Sequence, residues 1–294
     1  MRGASSIALR LHMTPLVVGL TIVAFGTSAP ELLISLSAAL SGSPDLAMGN
    51  VVGSNICNLG LVLGVTILIG PVKVNADSIQ IDWPVTMGSS LLLFYVVMDG
   101  MLNLIEGIFF VSALLTYIFL IIRRSRKKMK AEIEMERELE VTDAPSKSLS
   151  KDVGIIIIGS LCLFFGARWF VVGAKELAIF LEVSQRIIGI TIVALGTSLP
   201  ELVTSIVASF KKETDLALGN LLGSNIFNVL SILGITSIVT EIQVSELIHQ
   251  VDMLWMLGIT LLILPLMLFQ RKLARFDGVI LLVIYVYYTY TVIM

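Results

Sequence analysis

Residues 19–58 read GLTIVAFGTSAPELLISLSAALSGSPDLAMGNVVGSNICN, and residues 189–228 read GITIVALGTSLPELVTSIVASFKKETDLALGNLLGSNIFN. The two stretches align without a gap at an offset of 170 residues, and 23 of the 40 positions are identical. Self-similarity of this kind indicates that one structural unit occurs twice in the chain. Both copies carry a glutamate directly after a proline, Glu31 and Glu201. The duplication therefore indicates the architecture and a candidate site together.

The composition indicates a membrane protein. Hydrophobic residues make up 56% of the 294 residues, charged residues only 14%, and the mean hydropathy is +0.95. Soluble domains carry about 25% charged residues, so this chain lies outside their range. Cys57 and Cys162 both lie in apolar segments and are expected to be small core residues rather than a disulfide. The net charge of −2 carries little information for such a chain, and no nucleic acid is expected among its partners.

Apolar stretches long enough to cross a hydrocarbon core of about 30 Å recur along the chain. We predict an all-α polytopic membrane protein in the lipid bilayer, with nine full spans at residues 14–40, 45–70, 84–98, 104–122, 153–181, 186–210, 216–239, 251–269 and 276–293. The four spans that hold the repeated motifs contain internal Gly, Pro, Asn, Ser and Thr. These residues should interrupt the helices near mid-membrane, where free backbone groups are tolerated only beside protein or a polar cavity.

Five crossings separate equivalent points of the two repeats, and an odd number turns the second copy upside down relative to the first. Inverted-topology repeats whose discontinuous helices meet at the midplane are typical of secondary transporters. The predicted organisation is a first inverted repeat at 1–122, with its motif at 19–58, and a second at 152–294, with its motif at 189–228. A charged linker at 123–151 joins the two repeats.

The first thirteen residues resemble the end of a helix. Shifted by 170, residues 1–13 fall on 171–183, the tail of the span that begins near Val153. We therefore expect the first repeat to lack most of its leading helix, roughly eighteen residues by comparison with the second repeat. We favour a misassigned start over a real truncation.

The basic residues predict the orientation. The linker opens with RRSRKKMK, and the loops on the same predicted side hold Lys73, Lys211, Lys212, Arg271, Lys272 and Arg275. The opposite loops hold little beyond Arg186. Since Lys and Arg concentrate on the cytoplasmic side, residues 123–151 are predicted to be cytoplasmic and the protein to lie in the cell inner membrane. The linker is interpreted as a solvated tether, with a lipid-sensing role as the alternative.

Glu31 and Glu201 are the only acidic residues predicted to lie deep inside spans. An ionisable group in hydrocarbon costs at least about 2.5 kcal/mol, so each glutamate is a candidate functional residue. Inverted symmetry brings the two carboxylates face to face, where they repel unless a proton or a cation lies between them. The neighbouring oxygen donors are Thr27, Ser28, Ser54, Asn58, Thr197, Ser198, Ser224 and Asn228. Such oxygens suit a hard cation such as calcium, whereas the site has no His or Cys cluster for zinc or copper.

The Gly-rich strings, Arg168 and the two glutamates also allow other interpretations. The strings GNVVGSN and GNLLGSN lack the lysine and the strand–turn–helix setting of a phosphate-binding loop, so close helix approach is their expected role. Arg168, the other charge inside a span, either pairs with a carboxylate or extends to the membrane interface. An intramembrane hydrolase would use the two acids as a general acid and base, but a duplicated set of hydroxyls does not favour it. A channel, the remaining alternative, would need no alternating gate and would show ion flux that is not coupled to a counter-ion.

The motifs closely resemble the alpha-1 and alpha-2 repeats of the sodium/calcium exchanger family. GTSAPE and GTSLPE, each followed by a GN-x-x-GSN-x-x-N string, carry the resemblance, and FFGARWFVVGAKELA extends it to the preceding helix. The family has ten helices in two inverted halves and exchanges sodium for calcium through a central ion cluster. The resemblance implies Glu31 and Glu201 at the centre of that cluster. Further oxygens would come from Thr27, Ser28, Thr197 and Ser198, from the carbonyls of Ala24 and Ala194, and from Ser54, Asn58, Ser224 and Asn228.

The resemblance implies an antiporter rather than an enzyme, which needs no cofactor besides the transported calcium and sodium ions and functions as a monomer. Some relatives carry Asp at the position of Asn228, and potassium-dependent relatives use acidic residues around this cluster. Because Asn58 and Asn228 are both neutral, potassium co-transport is not favoured for this chain. In the family, the first and sixth helices slide together as the gate, so a chain without the first helix could be an inactive exchanger. Proton/calcium exchange stays open as a further alternative, because two facing glutamates can take up protons.

Overall fold

The chain is described here from a computed structural model, which covers residues 10–11, 13–137, 149–180, 182–183, 187–269 and 271–293. The expectations for the first nine residues, for Arg186 and for the middle of the linker fall outside these ranges. Within them the protein is almost entirely helical.

Eleven helices and four two-residue strands make up the described fold. In chain order they are α1 (Pro15–Thr27), α2 (Ala29–Leu40), α3 (Pro44–Ile69), β1 (Val72–Lys73), α4 (Ser78–Asp99), β2 (Met101–Leu102), α5 (Leu104–Arg137), α6 (Leu149–Phe180), α7 (Thr191–Thr197), α8 (Leu199–Phe210), α9 (Thr214–Val239), β3 (Ile242–Gln243), α10 (Ile248–Leu268), β4 (Lys272–Leu273) and α11 (Arg275–Ile293). Six single helices of this set are long and apolar enough to cross a membrane, and the bent pairs α1–α2 and α7–α8 raise the number to eight. α11 coincides with the ninth predicted span at 276–293. With this many apolar helices in the described residues, the prediction of an all-α polytopic membrane protein is confirmed.

The predicted interruptions lie where the first span of each motif passes its Ser–x–Pro sequence. α1 and α2 meet at Ser28 (φ −83°, ψ 4°) with a bend of 45°, and α7 and α8 meet at Ser198 (φ −80°, ψ 1°) with a bend of 44°. Pro30 and Pro200 follow two residues later, and neither can donate a backbone N–H to the preceding turn. Each helix therefore stops and restarts in a new direction inside the protein.

The second span of each motif is interrupted in another way. α3 and α9 stay continuous but change to π-helical backbone at Asn58–Val62 and Asn228–Leu233. A π-helical turn bonds i to i−5 rather than i−4 and commonly marks a functional site. Both segments begin at one of the two asparagines predicted to be ligands.

The short strands demonstrate the inverted topology. β1 pairs with β4, and β2 pairs with β3, both antiparallel. Because α4 runs the length of the bundle between β1 and β2, these two pairs mark opposite ends of the molecule. β1 at Val72–Lys73 and β3 at Ile242–Gln243 are equivalent under the 170-residue offset, yet they lie at opposite ends. The second repeat is therefore upside down relative to the first, as predicted.

Many basic residues collect at the end marked by β1 and β4. Lys73 faces Lys272 across the strand pair, and Arg124 pairs with Asp77 at 2.8 Å. The grouping of these loops on one side is as predicted, and their location in the cytoplasm stays a prediction. α5 runs on to Arg137 and α6 begins at Leu149, both inside the predicted linker. The reason is that RRSRKKMKAEIEMER holds strong helix formers and no Gly or Pro.

The two repeats cross at very close range. A Cβ atom added to Gly223 of α9 would lie 2.7 Å from the Cα of Leu20 in α1, and one added to Gly19 would lie 2.7 Å from the carbonyl oxygen of Leu216. Only glycine permits backbones to approach this closely. The expectation that the Gly-rich strings serve close helix approach is confirmed for α1 and α9.

Candidate functional site

The helix breaks place both glutamates at the centre of the protein. Glu31 lies in the first turn of α2 and Glu201 in the first turn of α8, and neither side chain has any exposed surface. The first turn of a helix presents free N–H groups and the positive end of the helix dipole, which favours a carboxylate. Ser28, at the break three residues before Glu31, lies 3.3 Å from Glu201 Oε1, so the two breaks meet in one buried region.

Glu201 is held by hydroxyl groups from both halves of the chain. Ser28 Oγ donates to Glu201 Oε1 at 3.3 Å from the first break, and Ser224 Oγ donates to the same oxygen at 3.0 Å from α9. The second oxygen, Glu201 Oε2, is buried and has no hydrogen-bond partner among the described residues. One side of this carboxylate is therefore anchored and the other is free to bind a ligand.

Further oxygens in the same region are buried without a partner. Among the described residues, the hydrogen-bonding capacity is unused at both carboxylate oxygens of Glu31, at Oδ1 of Asn58 and Asn228, and at Ser198 Oγ. α2 packs against the π-helical segment that begins at Asn228, and α8 packs against the one that begins at Asn58. Buried polar atoms in native proteins are nearly always paired, and leaving one unpaired costs about 1–3 kcal/mol. A set of acceptors without donors in one place is the arrangement that a cation satisfies.

The other predicted residues join this region through hydrogen bonds between the two halves. Thr197 Oγ1 lies 3.1 Å from Ser54 Oγ, and Ser54 Oγ also donates to the carbonyl oxygen of Ala194 at 3.5 Å. Thr27 Oγ1 donates to the carbonyl oxygen of Ala24 at 3.2 Å. All twelve predicted residues are buried, with Ser28 the most exposed at 4%. Whether they bind ions remains a prediction.

Sequence analysis missed four asparagines in this region. Asn50 Oδ1 accepts from Thr197 Oγ1 at 3.1 Å, and Asn220 Oδ1 accepts from Thr27 Oγ1 at 3.3 Å, so each joins one half to the break of the other. Asn55 and Asn225 bond to each other's backbone and to the predicted ligands Asn228 and Asn58. The available signal was identity in both motifs, since all four recur at the offset of 170.

The chemistry of the region suits a hard cation. Two carboxylates, hydroxyls and amide oxygens are the donors that calcium and sodium accept, whereas the described residues contain no group of three or more His, Cys, Asp or Glu side chains.

Arg168 lies on α6 beside a cavity of about 450 Å³ between α6 and α2. The cavity extends from Pro30, next to Glu31, to Ser43 at the far end of α2. Arg168 is exposed and forms no ion pair with the described residues. Pairing with a carboxylate, one of the two alternatives for Arg168, is thus not seen in the described part of the chain.

A profile of the sodium/calcium exchanger protein family matches residues 1–123 and 151–294. The chain belongs to the sodium/calcium exchanger family. It is 32% identical to the inner membrane protein YrbG of Escherichia coli over 88% of this chain and 80% of YrbG. It is 31% identical to the sodium/calcium exchanger MaX1 of Methanosarcina acetivorans over 97% of this chain and 91% of MaX1.

The fold of this sodium/calcium exchanger family member is also that of a solved structure. The sodium-calcium exchanger NCX_Mj, in crystals soaked with Na⁺ and Ca²⁺, superimposes with a TM-score of 0.81 at 29% sequence identity. The match covers 99% of this chain and 92% of NCX_Mj. The family consists of membrane exchangers, which agrees with the expectation of a transporter rather than an enzyme.

Proposed function

We propose that this protein exports calcium in exchange for sodium at a site centred on Glu31 and Glu201. The observation that carries the proposal is a group of buried oxygens around the two helix breaks that have no hydrogen-bond partner among the described residues. The group includes both oxygens of Glu31 and one of Glu201. Membership of the sodium/calcium exchanger family supports the choice of ions. The names of MaX1 and NCX_Mj point the same way.

Calcium binds six to eight oxygens, at about 2.3–2.6 Å. The two carboxylates would neutralise its charge, and Asn58, Asn228 and Ser198 hold oxygens that no described donor occupies. Thr27, Ser28, Thr197, Ser54, Ser224 and the carbonyls of Ala24 and Ala194 would complete the shells of calcium or of the sodium ions that replace it. Because both ions need the carboxylates, they exclude each other, and this exclusion couples the two fluxes.

Alternating access around this fixed site would move the ions across the membrane. The cavity beside α6 leads from Pro30 to Ser43 and is a candidate path from one face of the membrane. The positive-inside rule supports a cytoplasmic position for the end that carries Lys73, Arg124 and Lys272, and thus for residues 123–151. YrbG is named as an inner membrane protein, which supports the same location for this chain. All the proposed ligands come from one chain, which supports function as a monomer.

The test is calcium uptake into proteoliposomes that are loaded with sodium and diluted into sodium-free buffer with radioactive calcium. Uptake should require the outward sodium gradient, and an ionophore that collapses this gradient should abolish it. The matched variants are Glu201→Gln, which removes a charge of the site, and Glu241→Gln, which removes one from an exposed residue. We expect no uptake with Glu201→Gln and unchanged uptake with Glu241→Gln.

Other outcomes separate the alternatives. Uptake that follows an imposed pH gradient instead of the sodium gradient would identify a proton/calcium antiporter. Calcium flux without any counter-ion would indicate a channel. No flux under either gradient, in protein that is folded and inserted, would identify an inactive exchanger and refute the proposal.

A further inference from the structure

Four asparagines form a closed set of hydrogen bonds where α3 and α9 cross. Asn55 Nδ2 donates to the backbone carbonyl of Asn225 at 3.2 Å, and Asn225 Nδ2 donates to the backbone carbonyl of Asn55 at 3.3 Å. Asn58 Nδ2 donates to Asn225 Oδ1 at 3.1 Å, and Asn228 Nδ2 donates to Asn55 Oδ1 at 3.0 Å. All four side chains are buried, at 0–1% exposure.

The polarity of this set determines which way each amide faces. A backbone carbonyl only accepts, so Asn55 and Asn225 must turn their NH₂ groups toward it. The Oδ1 atoms of Asn225 and Asn55 then face the amides of Asn58 and Asn228, which must each donate an N–H to them. Asn58 and Asn228 therefore use their NH₂ groups here, and their Oδ1 atoms point away. Among the described residues, both of these amide oxygens are buried without a partner.

We propose that Asn55 and Asn225 are positioning residues that hold the oxygens of Asn228 and Asn58 toward the transported ion. The inference rests on the proposed function, since it assumes that Asn58 and Asn228 bind the ion. Without the acceptor at Asn225, the Asn58 amide is free to rotate and present its NH₂ group, which repels a cation. The backbone carbonyls of Asn55 and Asn225, one turn before each π-helical segment, fix the amide orientation of the asparagine that bonds to them. The backbone therefore determines the orientation of all four amides.

The set also predicts which residues act together. Asn225 holds Asn58, which belongs to the other repeat, and does not bond to Asn228, which is one turn away on its own helix. Loss of the Asn225 side chain leaves the bond from Asn55 Nδ2 to the Asn225 backbone intact. Asn55 Oδ1 then still holds Asn228. Coupling should therefore cross between the repeats and be weak along α9.

The experiment is a pair of double-mutant cycles on calcium affinity, measured by isothermal titration calorimetry on the purified full chain. The first cycle combines Asn225→Leu with Asn58→Ala, and the second combines Asn225→Leu with Asn228→Ala. Loss of an outer partner of a metal ligand typically lowers affinity about 10- to 100-fold, and we expect this for Asn225→Leu. The double variant with Asn58→Ala should bind as weakly as Asn58→Ala alone, whereas the losses with Asn228→Ala should multiply.

Losses that multiply in the first cycle, or coupling to Asn228 instead of Asn58, would overturn the inference. A thermal melt without calcium checks that each variant folds. If Asn225→Leu does not fold, the symmetry-related cycle of Asn55→Ala with Asn228→Ala gives the same test. Failure of the proposed function has a different signature, because the unmutated protein would then bind no calcium, or Asn58→Ala and Asn228→Ala would both leave its affinity unchanged.

Discussion

The two halves of the site have the same residues but different bonds. Glu201 receives hydrogen bonds from Ser28 and Ser224, whereas neither oxygen of Glu31 has a partner among the described residues. By symmetry, Ser198 and Ser54 should donate to Glu31. Instead, Ser198 Oγ is unpartnered and Ser54 is bonded to the second break.

The two half-sites are therefore not equivalent in the structure. Two motifs that share their site residues build half-sites of the same composition that make different hydrogen bonds. Two hydroxyl groups offset part of the cost of burying Glu201, whereas no hydrogen bond from the described residues offsets the burial of Glu31. Glu31 is thus the less compensated of the two buried carboxylates.

The largest expected effect comes from removing either charge. Glu31→Gln and Glu201→Gln should each lower calcium affinity by about 30-fold or more, because truncating one member of a buried charge pair costs about 2–5 kcal/mol. Titration calorimetry on folded protein measures this loss. The halves should differ without calcium: Glu31→Gln should raise the melting temperature, since it removes an unpaired buried charge, and Glu201→Gln should raise it less.

Glu241→Gln is the control, since this exposed carboxylate lies away from the site. If both site variants shift the melting temperature equally, the two glutamates are equivalent in solution and the difference in hydrogen bonding carries no energy.

The serines give a second, smaller contrast. Ser224→Ala removes a hydrogen bond to a charged group, worth about 1.5–3 kcal/mol, whereas Ser54→Ala removes bonds between neutral groups, worth about 0.5–1.5 kcal/mol. The calcium-free protein should therefore melt at a lower temperature with Ser224→Ala than with Ser54→Ala. Differential scanning fluorimetry in a chelator tests this. The reverse order would show that the serines change partners when the ion leaves.

Much of this arrangement could be predicted from the sequence. Pro30 and Pro200 break their helices because they lack an N–H, and the odd number of crossings required the inversion that β1 and β3 demonstrate. The burial of both glutamates followed from their place in apolar spans. These features depend on residue type and order alone.

The hydrogen bonds of the site could not be predicted in this way. Asn55 and Asn58 have the same side chain, and only the three-dimensional position of a backbone carbonyl on the other repeat decides which of the two amide oxygens is left without a donor among the described residues. The unequal partners of Glu31 and Glu201 likewise have no counterpart in two motifs whose proposed site residues are the same. The extent of α5 was missed because a charged stretch was interpreted as a tether, although its residues favour a helix.

The crossing of the repeats is expected to tolerate no added methyl group. Gly223→Ala would place a Cβ 2.7 Å from the Cα of Leu20, and such overpacking typically costs about 1–3 kcal/mol. Gly88→Ala is the matched control, because nothing lies within 4 Å of the added Cβ on α4. We expect a lower melting temperature for Gly223→Ala only. Equal melting temperatures would mean that the two halves can separate slightly at this crossing without loss of stability.

The smallest expected effect concerns a surface feature that only the first half has. Asp77 binds Arg124 at 2.8 Å and Lys128 at 3.3 Å, whereas the equivalent position in the second half is Leu247. Asp77→Leu makes the first half like the second, and it should change stability by less than about 1 kcal/mol because exposed ion pairs are weak. Chemical denaturation at low and high salt measures the change. A loss well above that value, which disappears at high salt, would show that this ion pair anchors α5 to α4 and that the asymmetry of the halves extends beyond the ion site.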